Sequence, residues 1–226
     1  MPAKLQKIWK NLYETFKGPT EICKICFNEI KTKRIVNLMM IHNVLCDSCA
    51  DLFNPIWKRF KLGAYTARAI YHYDETIRTY LYQFKGCYDY ELKDVFLYRY
   101  LSYLKLKYHR FYIVYVPSYH IDDERRGFNH VKAIFESLKL KELPILKKKT
   151  AHKQSDQSSL GRRQIKDVIE IDENTKLKDK KVLLVDDIMT TGSTLLTSIE
   201  LLKSKGAKNI EILVVAKTKM KRKEEY

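Results

Sequence analysis

Along Tyr73–Lys85 the apolar residues Ile77, Tyr80, Leu81 and Phe84 recur every three or four positions and share one helical face. Asp74 stands where an N-cap is needed, and Gly86 follows as a stop. A second helical pattern runs from Tyr90 to Leu106. Past residue 110 the period changes. Phe111–Val116 reads as a short apolar strand ended by Pro117, and Phe128–Leu138 as a helix. Val168–Ile171 reads as a strand, and Val182–Val185, with its unbroken run of aliphatics, as a buried one. Ser193–Lys203 is helical and Ile210–Ala216 is another buried strand. Strands alternating with helices predict an α/β fold with a mostly parallel sheet flanked by helices. Between the elements, Lys147–Lys166 is polar and basic and reads as a long mobile loop of the kind that often carries function.

Composition adds partners and compartment. The 226 residues, 45% of them hydrophobic, suffice for one ordinary core and a small accessory module. Lys and Arg number 43 against 27 Asp and Glu, a net charge of +16. Such a balance favours polyanions, nucleic acid first among them, although a solvated lysine surface gives the same number. No apolar run approaches the roughly 18 residues of a membrane span, and Met1–Lys17 lacks the apolar stretch of a signal peptide. A cytoplasmic protein is expected.

Four of the five cysteines form two pairs, Cys23-Lys24-Ile25-Cys26 and Cys46-Asp47-Ser48-Cys49, with 19 residues between them. Two Cys-x-x-Cys turns at this spacing suit one tetrahedral zinc ion, and four thiolates leave no open position, so the metal would be structural. His42 could replace one thiolate, but four cysteines suffice. Cys87 stands alone and reads as a small core residue.

The densest chemistry lies in Val182-Leu183-Leu184-Val185-Asp186-Asp187-Ile188-Met189-Thr190-Thr191-Gly192-Ser193-Thr194. A buried strand is followed by two acids at its carboxyl end, then by Thr-Thr-Gly-Ser-Thr opening a helix. Backbone N–H groups at a helix start, with hydroxyls beside them, make an anion site at the edge where α/β sheets bind ligands. Gly192 removes a Cβ where a phosphate must approach the backbone. Asp186 and Asp187 suit sugar hydroxyls, or a divalent metal through water. A plain strand–turn–helix would not need acids, glycine and hydroxyls in this order.

All 13 positions resemble the phosphoribosyl-diphosphate (PRPP) motif of type I phosphoribosyltransferases. The resemblance implies that Asp186 and Asp187 hold ribose hydroxyls and that Thr190, Thr191, Gly192, Ser193 and Thr194 cradle the 5′-phosphate. It also implies a diphosphate loop at Pro117 and Ser118, with Mg²⁺ bridging the charge. Arg125 and Arg126 follow closely and could contact diphosphate or a DNA phosphate.

A zinc ribbon, a Tyr-rich helical segment and a C-terminal PRPP motif, in this order, resemble the ComF family of competence proteins. Tyr73-Asp74, Ile77-Arg78, Phe84-Lys85-Gly86, Val116-Pro117 and Arg125-Arg126-Gly127-Phe128-Asn129 carry the likeness further. The family's long-loop pattern is matched loosely by Thr150, Gln154, Gln157, Leu160 and Arg163, but Lys166 stands where it has Asn. The implied organisation is a zinc-ribbon module over residues 1–60 and a phosphoribosyltransferase-like domain over 61–226, with 61–110 a Tyr-rich helical hood. The implied function is PRPP binding in natural transformation: handling incoming single-stranded DNA in the cytoplasm with the DNA translocase of the same operon. A phosphoribosyltransferase with an unidentified acceptor and a PRPP-sensing regulator share the same site. The expected cofactors are structural zinc, and magnesium with PRPP.

Overall fold

The computed structural model describes residues 21–30, 43–148 and 169–218. Two compact units appear, Met1–Leu52 and Phe53–Tyr226. The division falls before the strand Pro55–Leu62, whereas the sequence pattern put it at 60/61. His42, Thr150, Gln154, Gln157, Leu160, Arg163 and Lys166 lie outside the described residues.

In the first unit Cys23 N donates to Asn28 O, and Phe27 N to Cys23 O, each at 2.9 Å, which folds the first cysteine pair into a tight knuckle. Lys24 N reaches Val44 O at 3.0 Å and ties that knuckle to the second pair. Helix α1, Asp47–Leu52, starts just after Cys46.

The second unit opens with a hairpin that the sequence reading lacked. Strands β1 (Pro55–Leu62) and β2 (Tyr65–His72) pair antiparallel around Gly63, whose φ of +58° is the positive value a two-residue turn requires. β2 continues into the sheet beside the last strand, Ala67 opposite Ile212. Its inward residues include Ala67 and Ala69, which carry little hydrophobic signal. Helix α2, Glu75–Gly86, follows as expected: Asp74 accepts from Ile77 N, and Ile77, Leu81 and Phe84 are buried. Gly86 is its last residue, and Cys87 caps it and is exposed, not buried in the core.

The expected second helix is broken. Tyr90–Asp94 and Tyr98–Tyr100 are short 3₁₀ turns, and only Leu101–Tyr108 is α-helical (α3). Val95, Phe96, Leu97 and Tyr98 are all buried, and four consecutive residues cannot share one face of an α-helix. Then follow β3 (Tyr112–Tyr115), α4 (His120–Arg126), α5 (His130–Phe135), β4 (Lys141–Glu142), β5 (Leu146–Lys148) and β6 (Ile169–Ile171). The chain ends in β7 (Lys181–Met189), α6 (Ser193–Ser204) and β8 (Asn209–Lys217).

The main sheet has the order β1-β2-β8-β7-β3-β4, and every pair except β1–β2 is parallel. This is the predicted α/β class. β6, expected as part of that sheet, instead pairs antiparallel with β5 in a separate two-stranded sheet. Lys147 and Lys148 therefore belong to a strand; the rest of the expected loop lies outside the described residues up to residue 168. The core gathers Val182, Leu184, Ile199, Leu202, Ile212 and Val214 between the sheet and α6. Among the described residues no helix is long and apolar enough to cross a membrane.

Candidate functional site

β7 runs further than the apolar run Val182–Val185. Asp186 pairs with Val214 and Ile188 with Ala216, so both acids lie within the strand instead of beyond it. Alternation along a strand then sends the two carboxylates to different surroundings. Asp186 is half-buried and lines a cavity of about 350 Å³. Asp187 is only 6% exposed. Its Oδ2 lies 2.5 Å from Lys85 Nζ and 3.4 Å from His130 Nε2, and its Oδ1 accepts from Ile188 N at 2.7 Å.

After Met189 the chain turns through Thr190 and Thr191, both exposed, into Gly192 with φ +79°. A side chain at Gly192 would be strained by that φ, and its Cβ would stand 2.3 Å from Leu62 Cδ1. The glycine is therefore fixed by the turn and by packing on β1. Thr191 Oγ1 and Ser193 Oγ lie 3.1 Å apart, and α6 begins at Ser193 with its first N–H groups at the same sheet edge.

The cavity brings together parts far apart in sequence. Asp186 and Thr194 come from the β7–α6 segment, Pro117 and Ser118 from the end of β3, and Arg126 from α4. The neighbouring Arg125 is exposed. Lys85, His130 and Lys148 also line the cavity; Lys148 belongs to the basic stretch singled out in the sequence, whereas Lys85 and His130 did not stand among the predicted site residues. Lys85 and Asn129 sit inside segments that carried the family likeness, which was the available signal. His130 follows Asn129 but gave none.

Beneath the cavity a polar cluster holds these groups. Asp123 accepts from Arg126 at 3.0 Å and from Asn129 Nδ2 at 2.7 Å, and the Ser118 hydroxyl donates to it. Asn129 also caps α5 through Lys132 N. Arg126 Nε donates to the carbonyl of Lys85 at 3.1 Å, joining α4 to the end of α2.

The electrostatics follow. Burial would raise the Asp187 pKa, but His130 and Lys85 hold it well below the usual carboxylate range. Burial, reinforced by the charge on Asp187, pushes Asp186 well above that range. Burial disfavours the charged His130 ring, yet its hydrogen bonds to Asp123 and Asp187 raise its pKa. Arg126 stands 3.1 Å from His130 Nδ1, a contact that only a ring unprotonated at that nitrogen can accept, so Arg126 opposes the Nδ1 proton that Asp123, 3.9 Å away, favours, while Nε2 faces Asp187. Burial lowers the pKa of Lys148 against the pull of Asp186 and Asp122. A second cavity, about 650 Å³, lies on the other side of Lys85 among Tyr73, Arg78, Gln83 and Ile188.

In the N-terminal unit the sulfurs of Cys23, Cys26, Cys46 and Cys49 all lie within 4.8 Å of one another. Cys26 and Cys46 are 3.7 Å apart, against an edge of about 3.8 Å for a tetrahedron with zinc–sulfur bonds of about 2.3 Å. The cluster is compatible with structural zinc. Burial opposes ionisation of Cys23, but backbone N–H groups of Cys26, Cys46 and Ile25 bring its pKa down to about 7, while burial and neighbouring sulfurs raise Cys49. Four thiolates this close together need a cation to balance them.

Comparison with known proteins fits this arrangement. Residues 124–226 match the phosphoribosyl transferase domain family. Over 189 residues the chain is 28% identical to the competence protein ComFC of Streptococcus pneumoniae, covering 84% of this chain and 83% of that one. The chain is ComFC-like. It joins a phosphoribosyltransferase-type α/β domain to a cluster of four cysteines. Among solved structures, a purine phosphoribosyltransferase from Pyrococcus horikoshii is 27% identical, covering 54% of this chain and 73% of that one, with a TM-score of 0.32. An APRTase from Giardia lamblia is 17% identical, covering 76% and 97%, with a TM-score of 0.38.

Proposed function

We propose that this ComFC-like chain binds PRPP in the 350 Å³ cavity and acts in natural transformation, handling incoming single-stranded DNA in the cytoplasm together with a DNA translocase. One observation carries the ligand: Asp186, Thr194, Pro117, Ser118 and Arg126, parts of three separate sequence segments, line one cavity. In this reading Thr190–Thr194 and the first N–H groups of α6 hold the 5′-phosphate. Asp186 takes the ribose hydroxyls from inside the cavity, and Asp187 acts beside it by holding Lys85 and His130. Pro117–Ser118 and Arg126 face the diphosphate, with Arg125 at the rim. Bound Mg²⁺ would neutralise diphosphate charge. The competence role rests on the likeness to ComFC over most of both chains.

The cations Lys85, Arg126 and Lys148 around the cavity also suit departure of diphosphate, which keeps pentosyl transfer to an acceptor as a second reading. Isothermal titration with PRPP, with and without Mg²⁺, tests the first claim, and a diphosphate-release assay over candidate acceptors tests the second. Binding without release supports a PRPP-binding competence protein, and release with one acceptor makes it a transferase. No heat of binding in either condition refutes both.

A further inference from the structure

We propose that the amino-terminal edge of the main sheet carries a groove for single-stranded nucleic acid, separate from the phosphate cavity. The inference deepens the DNA-handling reading above and rests on it. Strands β2, β8, β7 and β3 run parallel, so their first residues gather on one edge and their last on the other. The phosphate cavity uses the last residues. At the first residues lie two further cavities of about 380 and 310 Å³. They share Ile210 and Glu211 at the start of β8 and so adjoin one another across the strands.

Its walls are strongly basic. Arg59, Arg68 and Lys107 line one half and Lys181 and Lys208 the other, against the single carboxylate Glu211, which pairs with Lys107. A row of cations along a trough suits a chain of phosphates. Lys181 and Asp186 are five residues apart on β7, about 16 Å at about 3.3 Å per residue, so a strand in the groove need not touch the phosphate cavity.

Aromatic rings stand at one end. Arg68 lies 4.7 Å from the ring centre of Trp57, which also meets Tyr100, stacked at 4.9 Å, and Tyr103, edge-on at 5.3 Å. Tyr103 is 47% exposed and sits one helical turn from Lys107 on α3, so an open ring and a groove cation share a helix face. Trp57 holds φ +43° at the irregularity in β1 between Pro55 and Lys58. A tryptophan in left-handed backbone is strained, and such strain persists where the surroundings fix the side chain for a use. Bases stack on exposed rings whatever their sequence, which favours single strands over duplex and over acidic peptides.

Fluorescence anisotropy of a labelled oligothymidine tests the proposal on the full chain. The double variant Arg59→Glu/Lys208→Glu changes two exposed side chains, and its melting curve establishes that it folds. It is expected to weaken binding at least about tenfold at low salt and to reduce the log–log salt slope by more than about 1.4, the share of two phosphate contacts. Tyr103→Ala should weaken binding equally at all salt concentrations. PRPP titration of the double variant should match the wild type, and saturating PRPP should leave oligothymidine affinity unchanged. Unaltered DNA binding in the double variant, or competition by PRPP, overturns the groove while leaving the DNA reading intact. Tighter binding of duplex than of single strand overturns the stacking that defines the ligand. No oligothymidine binding by wild type at low salt sinks the groove and the DNA reading together, and PRPP binding then stands on its own titration.

Discussion

Lys85 Nζ lies 2.5 Å from Asp187 Oδ2, across 102 residues of sequence. The pair fastens the end of α2 to the acidic end of β7, and His130 completes it from α5. Because Lys85 lines both the 350 and the 650 Å³ cavities, this one ion pair stands on the partition between them. It also gives the two neighbouring acids different work: one carboxylate faces the cavity and the other organises its wall.

Lys85→Met should therefore destabilise the second unit. Asp187 would keep His130 but lose its nearest cation while buried. Lys85 is 30% exposed at its side chain, so screening tempers the loss to about 1–3 kcal/mol. Urea unfolding measures it, and an unchanged midpoint would show the pair to be without weight. Lys85→Met together with Asp187→Asn should recover part of the loss, since the buried charge that Lys85 balanced is then gone.

His130 should make stability fall as pH rises through neutrality. Its folded pKa is raised, so its contribution is fully present below the unfolded value of about 6.5 and is lost as pH climbs through the folded one. Asp187, held low, contributes oppositely: its share is present above about 4 and disappears only in strong acid. Urea midpoints across pH 6–8 should decline for wild type and be flatter for His130→Gln. Equal slopes would mean that Arg126 keeps the ring neutral throughout.

What the sequence could show depended on how local each signal was. The helix Glu75–Gly86 was legible because its cap and its buried face lie within one window. β7 and β8 were legible because aliphatic runs mark strands buried on both faces. The hairpin β1–β2 was not: Ala67 and Ala69 face inward, and β2 owes its place to pairing with β8 some 145 residues later, Ala67 with Ile212. The same holds for the site. The residues of the β7–α6 turn are contiguous and carry their own signature, whereas Lys85 and His130 gain meaning only when folding brings them to one cavity.

Asp186→Asn and Asp187→Asn should separate the two acids in PRPP titrations. Asp186→Asn removes a carboxyl group from the cavity and should weaken binding by about 1–3 kcal/mol. It should leave unfolding stability unchanged or slightly improved, because burial and the charge of Asp187 already disfavour that carboxylate. Asp187→Asn should weaken PRPP binding by a comparable amount and also lower stability, since Lys85 and His130 lose their partner. Full affinity in both variants would mean that the acids only shape the turn.

The four-thiol cluster should bind about one zinc per chain, as one closed tetrahedral site requires. Cys23 is brought near neutrality, at about 7, while burial raises Cys46 and Cys49. Binding must then drive off the remaining protons, so zinc affinity should rise with pH across neutrality. Competition with a metallochromic indicator at several pH values measures this. Cys46→Ser leaves three thiols and should lower affinity sharply. It should also open residues 21–30 and 43–52 to proteolysis, because among the described residues a few hydrogen bonds, Lys24 N→Val44 O and those of Asn43 to Glu21, tie the two segments together. A chain that carries no zinc and resists protease at these residues would show that hydrogen bonds alone hold the knuckles.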